Sequence, residues 1–247
     1  MEEIYIDGSK VNVTVFDSLL STNAYLKNEY TKGISNYRTV IANSQTSGRG
    51  RLGRSFYSAS GGLYMSFLLS DVSELDTINI TAIAGIAVSE AIEDLYNVKC
   101  GIKWVNDLIY NGKKVCGILA EGIISDDGKI QGIVIGIGVN IAPPENGFPG
   151  ELSDIAGTIS DRYSEEDRNN LAFLILKRFN DNLKSHDSVK KYRALSTVIG
   201  KEITVITMSE RYNARVNDID DKFGLIITKD NGESVTLRSG EISIRTK

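Results

Sequence analysis

DLIYNGKKVCGILAEGIISDDGKIQGIVIGIGVN, residues 107–140, decides the fold class. It reads as several antiparallel strands, with NG and DDGK supplying tight turns between them. Asn111-Gly112 is the clearest hairpin signal, because a two-residue reversal needs positive φ at both positions. Its last part, extended as GIVIGIGVNIA over 132–142, is apolar but too short and too rich in glycine to cross a bilayer. It reads instead as a strand running into a ligand-facing loop.

Upstream lies TINITAIAGIAVSEAIEDLY, residues 77–96, with apolar side chains at spacings of three and four and a late acidic face. That is a long core-facing helix, and Gly85 within it marks a close packing contact. VKCGIKW follows as a short strand. Before the helix, GGLYMSFLLS (61–70), RTVIAN (38–43) and VNVTVF (11–16) are further strands, and a helix begins near Thr22. Downstream, Pro143, Pro144 and Pro149 mark a looser region. A second long helix then carries Leu171, Leu174, Ile175, Phe179 and Leu183 on one face. From about residue 197 the texture changes to five short strands: KEITVITMS, YNARVNDID, GLIITKD, ESVTLRSG and EISIRTK. Five strands in about fifty residues predict a small closed barrel, which would hide sheet edges. The expected fold is therefore α+β. A mixed, largely antiparallel sheet covered by helices on one side occupies residues 1–195, and a small all-β barrel occupies 196–247.

Composition sets outer bounds. With 41% hydrophobic and 24% charged residues the chain is too apolar to remain disordered. A net charge of -4 gives no general attraction to nucleic acid phosphates. A single histidine, His186, excludes a histidine-rich zinc site. Cys100 and Cys116 have no metal-ligand spacing and read as reduced, inert thiols. The start has no basic leader followed by an apolar run, so a cytoplasmic location is expected.

Two segments carry candidate chemistry. Gly48, Arg49, Gly50, Arg51, Leu52, Gly53 and Arg54 begin as G-x-G-x-x-G, but RSFYSASGG is a poor helix to follow a dinucleotide loop. The Walker Gly-Lys-Ser/Thr ending is missing too. What remains is a flexible loop whose backbone N–H groups and guanidinium forks suit carboxylate or phosphate oxygens, or else an ordinary solvated loop. In GIKWVNDL, Lys103 and Asp107 flank a short turn. They are either a cation and a carboxylate around one pocket, or a surface pair of little energetic worth, with Trp104 a core aromatic.

The order STN, Gln45, GRGRLGR, GIKWVNDL, KVCGIL and GIGVN resembles the catalytic domain of biotin–protein ligases. The terminal strands resemble their small SH3-like domain, and the likeness covers nearly the whole chain. The resemblance implies ATP-dependent activation of biotin to biotinyl-5'-AMP, with magnesium, and transfer to a lysine of biotin carboxyl carrier protein. It places Ser21, Thr22, Asn23 and Gln45 on the ureido ring, with Gly48, Arg49 and Gly50 of the loop. Arg51 and Arg54 fall near the activated carboxylate and phosphates, and Lys103 falls between the biotin carboxylate and the α-phosphate. Asn140 would orient the nucleotide phosphates. Gly117 and Leu119 would wall the apolar part of biotin, while Gly136 and Gly138 allow close backbone approach. Asp107 is a possible participant in lysine transfer. Two departures retune the pattern: Val105 stands where proline is usual, and Phe56, expected at the adenylate, stands where many relatives have tryptophan.

A lipoate–protein ligase is the nearest rival, although lipoate has no ureido group for Ser21, Thr22 and Gln45 to satisfy. A biotin-responsive repressor or other biotin-binding regulatory module is a rival of another class. The ligase motifs begin so near the start that no DNA-binding domain is expected before them. The resemblance also implies a homodimer.

Overall fold

The structure is a computed structural model that describes residues 5–6, 9–30, 38–70, 77–207 and 210–244. Short strands β1 (Tyr5–Ile6) and β2 (Ser9–Lys10) pair with each other. The chain continues through β3 (Val13–Leu19), α1 (Thr22–Tyr30), β4 (Thr39–Gln45), β5 (Gly62–Leu69) and α2 (Thr77–Tyr96). Next come β6 (Gly101–Lys103), β7 (Asp107–Tyr110), β8 (Lys113–Ile124) and β9 (Ile130–Asn140). Helices α3 (Leu152–Ile155), α4 (Glu165–Leu183) and α5 (Ser188–Leu195) follow. Strands β10 (Glu202–Ile206), β11 (Arg211–Ile219), β12 (Leu225–Lys229), β13 (Ser234–Leu237) and β14 (Glu241–Ile244) complete the chain. The ends of the predicted strands KEITVITMS and EISIRTK lie outside the described residues.

Seven strands form one sheet in the order β3-β4-β5-β9-β8-β7-β6. Only β3 and β4 run parallel, so the sheet is mixed and largely antiparallel. The opening stretch behaves as its turns require: Asn111 and Gly112 have φ of 49° and 76°, and β7 reverses directly into β8. Helix α2 packs tightly at Gly85, where an added Cβ would lie 3.3 Å from Ile102 Cδ1. Helix α4 starts where Ser164 Oγ accepts a hydrogen bond from the Asp167 amide at 3.0 Å. Glu165, Glu166 and Asp167 complement the positive helix end.

The expectation of helices on one side is corrected. Leu63, Met65 and Phe67 of β5 and Ile133, Ile135 and Ile137 of β9 join the large core with residues of α2 and α4. On the other face, Leu26 of α1 packs with Val40, Leu68 and Val134. Period-2 alternation sends neighbouring residues to opposite faces, and β5 is buried along its whole length because helices cover both. An uninterrupted apolar run such as β5 has no polar face to leave toward solvent, which is why it needs a cover on each side.

The predicted SH3-like barrel is also corrected. The five terminal strands form an open sheet in the order β13-β12-β11-β10-β14. Closure would need β13 to pair with β14, but β13 pairs with β12 and β14 with β10. Only residues 238–240 link the two edge strands, and Gly240 takes φ of 120° there. The Arg238 side chain there donates to Asp220 Oδ1 and to the Lys222 carbonyl. This sheet nevertheless shares the main core through residues such as Ile203, Val205 and Val216. The Trp104 indole N–H donates to the Phe223 carbonyl at 2.9 Å, and Tyr192 Oη donates to the Val105 carbonyl at 3.0 Å. The Trp104–Val105 peptide is cis. Among the described residues no helix is long and apolar enough to cross a membrane.

Candidate active site

The face of β9 opposite the large core is where the candidate site forms. Along this strand Ile133, Ile135, Ile137 and Val139 point to the core, so Gly136 and Gly138 fall on the other face with Val134. Gly117 of β8 is the register partner of Gly138. Three positions without side chains thus leave a shallow floor. A Cβ at Gly136 would lie 2.2 Å from Asn23 Oδ1, and one at Gly138 would lie 2.5 Å from the Phe56 ring. A Cβ at Gly117 would meet both Phe56, at 3.0 Å, and the Lys114 ammonium, at 3.1 Å.

A cavity of about 480 Å³ lies over this floor. Ser21, Thr22, Asn23, Gln45, Arg49, Gly50, Arg51, Phe56, Gly117 and Leu119 all line it, so most of the predicted site is brought together. Its polar end is tied down by its own hydrogen bonds. The Thr22 amide and hydroxyl both donate to Gln45 Oε1, at 2.8 and 3.1 Å, and Gln45 Nε2 donates to Ser58 Oγ at 2.9 Å. Asn23 Nδ2 donates to the Leu119 carbonyl at 3.2 Å and to Glu121 Oε2 at 2.7 Å. Ser66 Oγ donates to Asn23 Oδ1 at 2.6 Å. Ser21 Oγ accepts from the Ala24 amide at 3.4 Å, so one residue of the STN segment caps α1 while its neighbours face the cavity. Rotamers locked in this way hold a polar pocket ready for a ligand without a fresh ordering cost.

Glu121 stands behind this end. Burial pushes its carboxyl up, but hydrogen bonds from Lys27 and Asn23 outweigh burial and hold it below the usual carboxylate range. The Lys27 ammonium lies 2.8 Å from Glu121 Oε1.

A second cavity, about 500 Å³, adjoins the first. Gly50, Arg51, Phe56, Asn106 and Lys114 line both. The second alone adds Arg54, Asp107, Gly240 and Glu241 among its lining residues. Arg51 Nη1 donates to Asn106 Oδ1 at 3.2 Å. Burial lowers the Arg51 pKa, while the negative charges of Asp107 and Glu241 raise it. Arg54 is turned toward Glu241, 2.6 Å away.

Three predicted residues are placed elsewhere. Lys103 sits opposite Asp107 in the β6–β7 register but lines neither cavity. Asn140 is buried at the end of β9 and donates to the Gly157 carbonyl at 3.0 Å. Gly48 packs beneath the loop, where a Cβ would lie 2.4 Å from the Phe56 carbonyl oxygen. Sequence reasoning in turn missed Asn106, Lys114, Ile118 and Met65 in the cavity wall. Asn106 lies between two highlighted residues, and Lys114 is the second residue after the Asn111-Gly112 turn, yet neither residue type announces a site. The cysteines behave as expected: both are buried, and burial pushes the Cys100 thiol up to about 12 and the Cys116 thiol well above its ordinary value. Among the described residues no three potential ligands cluster for a metal.

Residues 15–140, which contain the glycine floor, the polar end and the arginine loop, match the biotin/lipoate A/B protein ligase family. The chain belongs to that family. Among relatives, the bifunctional ligase/repressor BirA of Bacillus subtilis is 33% identical over 214 residues, covering 83% of this chain and 65% of BirA. The chain therefore spans just under two thirds of that longer family member. A biotin–[acetyl-CoA-carboxylase] ligase of Mycobacterium tuberculosis is 28% identical over 216 residues, covering 82% of this chain and 77% of that protein. The biotin protein ligase of Aquifex aeolicus, solved in complex with biotin and ATP, superposes with a TM-score of 0.80 at 29% identity. That similarity covers 96% of this chain and 99% of the Aquifex chain, so the family fold extends through the terminal strands.

Proposed function

We propose that this protein is a biotin–protein ligase that forms biotinyl-5'-AMP from biotin and ATP and transfers biotin to a lysine of biotin carboxyl carrier protein. The observation that carries the reading is the division of labour between the two cavities. Ser21, Thr22, Asn23 and Gln45 line the first alone, whereas Arg51 and Lys114 line both. A ligand with a polar ring, an apolar body and a carboxylate fits this order. Its ring meets the fixed polar groups, its body lies on Gly117, Gly136 and Gly138, and its carboxylate reaches the cationic junction. Lipoate has no ureido group to meet the polar side chains of Thr22, Asn23 and Gln45 at that end.

ATP enters from the second cavity. A carboxylate oxygen attacks the α-phosphorus, and the bond to the bridging oxygen breaks with its electron pair leaving on pyrophosphate. Arg51 and Arg54 offset the crowded negative charge, and Phe56 flanks the adenylate. Magnesium arrives as part of the nucleotide substrate. The carboxylates of Asp107 and Glu241 in the second cavity suit an ion held mainly by phosphates and water. In the second step the carrier amine, once deprotonated, attacks the acyl carbonyl and AMP departs with the bonding electrons. Loop 48–54 shields the mixed anhydride from water. The reading includes a homodimer, a cytoplasmic location and a functional division near residue 195.

Biotin-dependent exchange of pyrophosphate into ATP, followed by labelling of a biotin carrier domain, tests the proposal. Exchange driven by lipoate but not by biotin would reassign the substrate. Tight biotin binding without exchange would leave only a binding module.

A further inference from the structure

Asp107 has a lysine on either side of it. Lys103 is its partner across the β6–β7 hairpin, and Lys114 comes from β8 with its ammonium 2.6 Å from Asp107 Oδ1. Of the two, only Lys114 lines the cavities, and it lines both. We infer that Lys114 is a further catalytic residue, whose ammonium binds the substrate carboxylate at the junction and neutralises the charge that accumulates as that carboxylate meets the α-phosphate. The inference rests on the ligase reading above.

Two further observations support it. The Lys114 side chain is laid over the bare Cα of Gly117, where a Cβ would come within 3.1 Å of both its Cε and its Nζ. A side chain at position 117 would therefore push the ammonium off the floor. The ion pair with Asp107 is also short without being a well-directed hydrogen bond, since Asp107 Oδ1 is buried and receives none. An ammonium has three N–H donors and a flexible stem. It can stay beside Asp107 while turning donors toward an arriving oxyanion. With Arg51 this places two cations where a carboxylate and a phosphate must come together, and each charge counts for more there than in open water.

The test compares biotin with its alcohol analogue, in which CH2OH replaces the carboxylate. Lys114→Met should lower biotin-dependent pyrophosphate exchange by about 10²-fold. It should weaken biotin binding by about tenfold or more, since a hydrogen bond to a charged group is lost. Binding of the alcohol analogue should be unchanged, and Lys114→Arg should restore part of the exchange. Asp107→Asn keeps the ammonium and removes its competitor, so it should sharpen the preference for biotin over the alcohol; this reading stands even if Lys114→Met does not fold. Equal loss of both ligands in Lys114→Met, exchange at the parent rate, or a reduced preference in Asp107→Asn would overturn the assignment. Absence of biotin-dependent exchange in the parent protein would instead remove the ligase reading, and this assignment with it.

Discussion

Strand β9 presents two different surfaces made by one run of residues. On one face Ile133, Ile135, Ile137 and Val139 are buried in the large core, with α2 against the strand. On the other, Gly136 and Gly138 lie bare beneath the cavity. The first face is filled to gain stability, and the second is emptied to admit a ligand. Because side chains alternate strictly, the run from Ile135 to Val139 encodes both: a change at Ile135 or Val139 should register in stability, and one at Gly136 or Gly138 in chemistry.

The largest effect should come from the filled face. Ile135 is fully buried, and Ile135→Ala should cost about 2–5 kcal/mol through lost burial and a residual cavity. For a chain of this size each kcal/mol moves Tm by about 2–4 °C, so the drop is readily seen by calorimetry. Biotin affinity of the folded fraction should remain that of the parent. A variant with unaltered Tm but weakened biotin binding would break the division between faces.

Gly138→Val is the converse. The atoms an added Cβ meets belong to the Phe56 ring, which can swing aside with its loop, rather than to backbone. Strand propensity favours valine over glycine, so stability should change by less than about 1 kcal/mol. Adenylate formation should nonetheless fall by about 10²-fold, because the floor is raised beneath the reacting groups. Pyrophosphate exchange and thermal melting, measured on one sample, decide it. A large loss of Tm with normal exchange in the remaining folded protein would show that the glycine serves packing.

How much of this was legible beforehand follows from which signals are local. Asn111-Gly112 names its own turn, the 77–96 periodicity names its helix, and Ser21, Thr22 and Asn23 line one cavity with Arg49, Gly50 and Arg51 of the loop. Barrel closure was not legible, because it depends on whether β13 and β14 pair, and an open sheet has the same strand pattern. Lys114 was missed for a related reason. Its approach to Asp107 depends on the β7–β8 register, which shifts between Leu108 and Ile109. Lys103, singled out by its motif, lies opposite Asp107 yet outside both cavity linings, a placement that strand spacing alone does not give.

The smallest effect sharpens the comparison by asking how each face holds its helices. Helices α2 and α4 are fixed mainly by apolar burial. Helix α1 has only the small cluster around Leu26 and relies also on Glu121, which accepts from Asn23 and Lys27. The folded-state pKa of Glu121 lies below its unfolded value, so its contribution is complete above the unfolded pKa and vanishes as pH falls through the folded pKa. Acidification below the ordinary glutamate value of about 4.3 should therefore loosen α1 by on the order of 1 kcal/mol before α2 responds. Amide exchange in α1, compared with α2 across this pH range, reads the difference, and Glu121→Gln should flatten the α1 response. If both helices loosened together in the parent protein and in Glu121→Gln alike, the polar anchor would not be what distinguishes the two faces. Acid loss of the site would then have to come from the shared core.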